Sequence, residues 1–209
     1  MRSNRAAGGR APSYIGVVMS GSGFALFETA IGHCGIVWSE RGIVGVQLPE
    51  GGAHATRSRV LRRFPAAREV VPPAEIQRVI DDVIVSLAGE PQDLSRVQLD
   101  TGAVTDFQRR VYDIARTITA GSTLSYGEIA ERLGDRQLAR DVGEALGQNP
   151  FPIIVPCHRV MAAGGKMGGF SAPGGVRTKL RLLSIEGTQP GGPTLFGNLP
   201  LATAPRRRT

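Results

Sequence analysis

Between Phe24 and Leu48 three short apolar-rich segments, FALFETA, CGIVWS and IVGVQL, are separated by the turn-like IGH and ERG. Segments of this length bounded by turns predict an antiparallel meander. Two helical patterns follow, around Thr56 to Arg63 and from Pro73 to Leu87. The second sets Ile76, Val79, Ile80, Val83, Ile84 and Leu87 on one face, the stripe of a helix that covers a sheet. Gly89 to Thr101, GEPQDLSRVQLDT, is rich in turn residues and weak in periodicity, so a domain boundary is expected there.

Beyond it the period is helical. Thr105 with Gln108 forms a capping-box pattern, and Phe107, Val111, Ile114 and Ala115 recur at helical spacing toward Ile118. Ser125 with Glu128 repeats the device and opens YGEIAERLG; a turn at Gly134 to Arg136 and a further helix, QLARDVGEALG, follow. Two short helices joined by a Gly-containing turn fit a helix-turn-helix, although on pattern alone an ordinary helical hairpin in a core is the commoner case. Arg177 to Glu186 reads as a closing helix. The expected organisation is a basic tail over 1–14, a sheet-containing domain over 15–95, a helical domain over 101–187 and a Pro- and Gly-rich tail over 188–209, both tails flexible.

Composition, 41% hydrophobic and 21% charged over 209 residues, is that of an ordinary globular chain. No apolar run approaches the roughly 20 residues that cross a bilayer. Two cysteines, Cys34 and Cys157, make no disulfide framework; reduced thiols and a cytoplasmic location are expected. The net charge of +7 suggests nucleic acid, but its distribution is uneven. Residues 1–14 and 188–209 carry three arginines each and no acid, whereas 15–100 has eight basic against ten acidic residues and 101–187 eleven against eight. Solubilising ends explain the charge as well as a docking surface does.

The chemistry is concentrated in Asn149-Pro-Phe-Pro-Ile-Ile-Val-Pro-Cys-His-Arg-Val160. A free cysteine thiol, which titrates at about pH 8.5, is only slightly ionised at neutral pH, and His158 or Arg159 beside Cys157 are candidates to activate it. In an extended segment, adjacent side chains point to opposite sides, so a water would have to connect Cys157 to His158. The competing reading is a buried, inert cysteine.

From Ser125 to Glu186 the sequence resembles the O6-alkylguanine-DNA alkyltransferases, the methylated-DNA–protein-cysteine methyltransferase family. The resemblance rests on Pro156-Cys157-His158-Arg159-Val160, Ser125-Tyr126, Arg140 to Ala145, Asn149-Pro150, Gly168-Gly169 and LRLLSIEG. It implies an α/β (α+β) protein: a small antiparallel-sheet N-terminal domain of ribonuclease H-like kind, and a helical C-terminal domain with a winged-helix-like helix-turn-helix. The implied activity is single-turnover transfer of an alkyl group from O6-alkylguanine, with O4-alkylthymine a further candidate, to Cys157.

The resemblance also implies roles. His158, oriented by Glu186, would take the thiol proton through water and lower the thiol pKa. Arg140 would fill the gap left by a flipped base, and Tyr126 would crowd the phosphate and donate to guanine N3. The Ser171 N–H would donate to O6; the carbonyls of Cys157 and Val160 would accept from the exocyclic amine. Phe170, where a tyrosine is usual, would form an aromatic wall. Asn149 would tie the active-site turn to the recognition helix, and Arg159 would form a structural ion pair.

Gly143 and Ala145 would let that helix enter the minor groove, although their smallness also suits helix packing. Asp141 departs from the usual small residue, and the loop from Ser171 to Arg177 is longer than in some relatives. The expected partner is double-stranded DNA carrying the lesion, bound by a monomer away from membranes. Two cysteines with His33, His54 and His158 offer poor zinc spacing, and no Gly-rich phosphate loop is present, so neither metal nor cofactor is expected. Competing functions are a non-catalytic lesion-binding protein, a helix-turn-helix regulator and a turnover cysteine hydrolase.

Overall fold

The computed structural model describes residues 22–188. The expected tail 1–14 and the segment beyond Thr188 lie outside the described residues. The meander forms as predicted: β1 (Gly23–Thr29), β2 (Gly32–Ser39) and β3 (Gly42–Gln47) are joined antiparallel. A two-residue β4 (Arg68–Glu69), not expected from the sequence, pairs parallel to β1 and gives the order β3-β2-β1-β4.

Strand β2 is buried on both faces, which explains its near-continuous apolar run. Val37 packs with Phe24 and Val60 on one side, and Cys34, Ile36 and Trp38 join the main core on the other. Helix α1 (Ala53–Arg63) covers the first face through Thr56 and Val60. It approaches closely because Gly35 lacks a side chain: a Cβ there would stand 2.8 Å from Val60 Cγ2. Helix α2 (Ala74–Leu87) buries Ile76, Ile80, Val83 and Leu87 as its period requires.

The expected boundary is firmly attached. Ile43 N–H donates to Gln98 O at 2.9 Å and Asp100 N–H to Ile43 O at 2.7 Å. The nearly buried Asp100 carboxylate accepts from Ser39 and Arg41. Arg116 Nη2 donates to the carbonyls of Leu94 and Val97. Core residues of both halves form one contiguous cluster.

Both predicted capping boxes are present, starting α3 (Asp106–Arg116) at Thr105 and α4 (Tyr126–Arg132) at Ser125. Helix α5 is shorter than QLARDVGEALG predicts. The Asp135 side chain accepts from Gln137 N, turns Arg136–Leu138 into a separate 3-10 turn, and delays α5 to Ala139–Gly147. Arg140 therefore stands in the first turn of α5. Tyr112 of α3 donates to Ala145 O at 2.9 Å and meets Phe151 edge-on at 6.3 Å, tying α3 to α5 and to the turn that follows. The closing helix α6 spans Val176–Ile185. No described helix is long and apolar enough to cross a membrane.

Candidate active site

The site begins with a strained turn. Ile153 has φ 78, a left-handed conformation unusual for a β-branched residue. Asn149 holds the turn from both sides: Phe151 N–H donates to its Oδ1, and its Nδ2 donates to Val155 O, each at 2.9 Å. Pro150 O also accepts from Val46 N–H of β3 at 2.8 Å, so the sheet buttresses the turn directly.

The chain then enters a 3-10 turn, Cys157–Arg159, rather than the extended segment the sequence suggested. The next residues form β6 (Val160–Met161), parallel to β5 (Leu124–Ser125), which places Tyr126 beside the cysteine. The two cysteines have different environments. Cys34 has no exposed surface, and burial, only partly opposed by Thr29, pushes its thiol up to about 12. Cys157 is half-buried and lines two cavities.

Burial pushes the Cys157 thiol up as well, against the Asn149 side chain, the Lys179 charge and nearby backbone N–H groups. The expected net lowering is thus absent in the resting site: desolvation of the thiolate outweighs its partners. Ionising this thiol would require a base. His158 is buried, and its Nε2 lies 2.8 Å from Glu186 Oε1, while its Nδ1 has no hydrogen-bond partner among the described residues. Burial, helped by the charges of Arg159 and Lys179, lowers the His158 pKa despite Glu186. The ring is neutral, with Nε2–H donating to the carboxylate and Nδ1 left as the basic nitrogen.

Burial alone would raise the Glu186 pKa, but His158 and Arg159 bring it down to about 2. Arg159 grips both carboxylate oxygens and also reaches Ile118 O, just beyond the end of α3.

A cavity of about 560 Å³ is lined by Tyr126, Arg140, Gly143, Cys157, Phe170 and Ser171, among others. Arg140 is exposed at its mouth. Gly143 faces the Tyr126 ring, where an added Cβ would sit at an ordinary 3.9 Å, so internal packing does not require glycine there. Ala145 does not lie on the groove-facing surface that the resemblance implied. It is 3% exposed, because the period of α5 sends Val142, Ala145 and Leu146 into the core, and a buried residue cannot line a groove. Its smallness serves helix packing. Asp141 is exposed in the first turn of α5, where the helix dipole favours a carboxylate. The Ser171 hydroxyl donates to Gly147 O at 2.7 Å and bridges the loop to the end of α5.

A family profile, "6-O-methylguanine DNA methyltransferase, DNA binding domain", matches residues 106–188. The methylated-DNA–protein-cysteine methyltransferase of Methanothermobacter thermautotrophicus is 37% identical over 73% of this chain and 78% of its own. The chain belongs to the methylated-DNA–protein-cysteine methyltransferase family. Among solved members, the O6-methylguanine methyltransferase of Mycobacterium tuberculosis superposes with a TM-score of 0.62 at 34% identity, over 79% of this chain and 92% of that one. The same organism's OGT in complex with DNA gives 0.63 at 33% identity, over 78% and 92%. The small sheet with its helices is the mixed α/β architecture of these family members.

Two features of this methyltransferase-family site were not expected from the sequence. Lys179 of α6 is fully buried, and its ammonium donates to Val160 O. Burial lowers its pKa, opposed by Cys157. Its signal was present: Lys179 lies seven residues before Glu186, on the same helical face. The carbonyls expected to read guanine also have internal partners. Val160 O accepts from Lys179 and Cys157 O from Val160 N–H, which leaves each one further lone pair. The second feature is Gly168, where a Cβ would stand 2.5 Å from Tyr126 Oη.

Proposed function

We propose that this protein repairs DNA by direct reversal, moving the alkyl group of O6-alkylguanine irreversibly to Cys157 in a single turnover. The observation that carries this reading is one half-buried thiol on a base-sized cavity, backed by a neutral histidine whose far nitrogen is held by a carboxylate. Family membership supports it, as does the DNA complex of the Mycobacterium tuberculosis relative.

In this mechanism His158 Nδ1 takes the Cys157 proton through a water, and Glu186 stabilises the imidazolium that forms. The sulfur bonds to the alkyl carbon as the carbon–O6 bond breaks. Its electron pair passes to the guanine, which takes up one proton and is left unmodified. Tyr126 O–H and Ser171 N–H donate to the charge developing on the base. The thioether at Cys157 has no leaving group to regenerate the thiol.

Attack requires the base outside the stack. Arg140, exposed on the first turn of the recognition helix, fills the gap, and Gly143 keeps the helix surface low in the minor groove. Phe170 forms the wall beside the alkyl group. Residues 101–187 carry this chemistry as a winged-helix-like unit, and the ribonuclease H-like sheet buttresses it.

The test is intact-protein mass spectrometry with a duplex containing one O6-methylguanine, an unmodified duplex and a Cys157→Ala variant. A gain of about 14 Da on the wild type alone is expected for a cysteine nucleophile. Lesion binding without mass gain would replace this reading with that of a non-catalytic lesion-binding protein.

A further inference from the structure

Cys157 borders a second cavity, about 400 Å³, on the far side of the Ser171–Gly147 hydrogen bond. The two cavities share Leu146, Gly147, Cys157 and Ser171 as their partition. One carries Tyr126, Arg140 and Phe170, the equipment for a base. The other runs away from the sulfur between the end of β3, the end of α5 and α1, and it presents Arg59, Arg62 and Arg63. These positions fall at i, i+3 and i+4, on one face of α1.

The charges in this cleft are unequally committed. Arg63 Nη1 donates to Gln47 Oε1 at 2.9 Å and Val46 O at 3.3 Å, so it forms part of the wall. Glu50 is the carboxylate of the cleft; its Oε1 lies 3.5 Å from Arg59 Nε, and that buried nitrogen makes no hydrogen bond. Arg62 is exposed and has no hydrogen bond or ion pair among the described residues. Three guanidiniums against one carboxylate leave the cleft cationic.

A substituent on O6 of a base seated in the first cavity must have its reacting carbon at the sulfur, on the partition itself. The second cavity, which borders the same sulfur, is a space open to anything longer than methyl. We propose that this cleft receives the distal end of the O6 substituent and that Arg59 and Arg62 favour substituents ending in a carboxylate. The inference rests on the proposed alkyl transfer to Cys157 and names a substrate class within it. The reaction balances as before: sulfur gains the carbon, O6 keeps the electron pair, and guanine takes a proton. The arginines touch only the tail, as specificity determinants. Guanidinium suits this task because its fork matches a carboxylate.

The test uses the full chain and duplexes of one sequence carrying O6-carboxymethylguanine or O6-carboxypropylguanine, each beside its uncharged amide counterpart. The rate of mass gain is measured for every duplex, and the readout is the carboxylate-to-amide ratio of the carboxypropyl pair, from which DNA docking cancels and in which two methylenes insulate the reacting carbon from the end group; the carboxymethyl pair is compared only between wild type and variants. A wild-type carboxypropyl ratio of about two- to fivefold is expected, the range of a partly exposed ion pair. Arg62→Glu should bring that ratio below one, and Arg62→Lys should keep it above one. A wild-type carboxypropyl ratio of one overturns the proposal. So does a ratio that Arg62→Glu and Arg59→Glu leave unchanged, the result expected if these arginines serve only DNA phosphates. An O6-methylguanine duplex run in parallel separates the two readings. Absence of methyl uptake rejects alkyl transfer itself, whereas methyl uptake with a flat ratio rejects only the carboxylate preference.

Discussion

His158 Nε2 lies 2.8 Å from Glu186 Oε1, and this contact decides which nitrogen of the buried ring is left to accept a proton. With Nε2–H committed to the carboxylate, Nδ1 is the nitrogen left with a free lone pair, the base of the proposed mechanism. Because Arg159 grips the same carboxylate, the proposed alkyl transfer and the stability of the fold are coupled at Glu186.

That coupling has a pH signature. The Glu186 pKa is about 2 in the folded protein, below its ordinary value in the unfolded chain. A depressed carboxylate contributes stability that is fully present above the unfolded pKa and lost as pH falls through the folded one. Wild-type unfolding free energy should fall by on the order of 3 kcal/mol between about pH 5 and pH 2 from this group. Glu186→Gln should lack that part of the acid dependence and be less stable at neutral pH by about 3 kcal/mol, the cost of leaving Arg159 in a nearly buried site without its partner. Denaturant unfolding across this range checks both.

Lys179 is the cation that most directly favours the Cys157 thiolate. Removing it in Lys179→Met should move the pH profile of Cys157 alkylation by iodoacetamide to higher pH, since the thiolate loses a stabilising charge. Peptide mapping separates Cys157 from the buried Cys34. An unmoved profile would mean that the ammonium only anchors Val160 O.

Two glycines that face Tyr126 should respond in opposite ways. At Gly168 an added Cβ stands 2.5 Å from the phenol oxygen, so Gly168→Ala must displace Tyr126 or strain the loop, costing about 1–3 kcal/mol or the alkyl-transfer rate. At Gly143 the space exists, and alanine is the better helix former, so Gly143→Ala should stabilise by about 0.5–1 kcal/mol. If α5 enters the groove, the same variant should bind lesion DNA more weakly. Thermal unfolding of both variants, alkyl-transfer rate for Gly168→Ala and DNA titration for Gly143→Ala check these expectations.

Asn149→Ala removes the acceptor for Phe151 N–H and the donor to Val155 O. The turn at Ile153 then loses the groups that hold its left-handed backbone, and a loss of about 2 kcal/mol is expected from the unsatisfied buried partners. Amide hydrogen exchange at Phe151 and Val155 should accelerate selectively. Exchange no faster than in wild type would place the constraint elsewhere, with Val46 N–H to Pro150 O the next contact to remove.

The meander, both capping boxes and the apolar face of α2 were legible because each follows from residues close in sequence: strand-length runs between turns, or a hydroxyl three positions before Gln or Glu. The Pro-Cys-His-Arg-Val segment likewise singled out Cys157, the thiol that the fold places on a cavity. Other features depended on where the chain packs. A two-residue strand such as β4 has no period to read, and one Asx turn at Asp135 moved the start of α5. Ala145 and Gly143 are both small residues on one helix, yet the core takes the first and leaves the second at the surface. The sequence named a cysteine, a histidine and a glutamate; tertiary packing set their protonation states and brought up a buried lysine. Burial, partner distance and the local dielectric arise only when distant segments meet, so only the folded chain determined which nitrogen is basic and which two cavities meet at the sulfur.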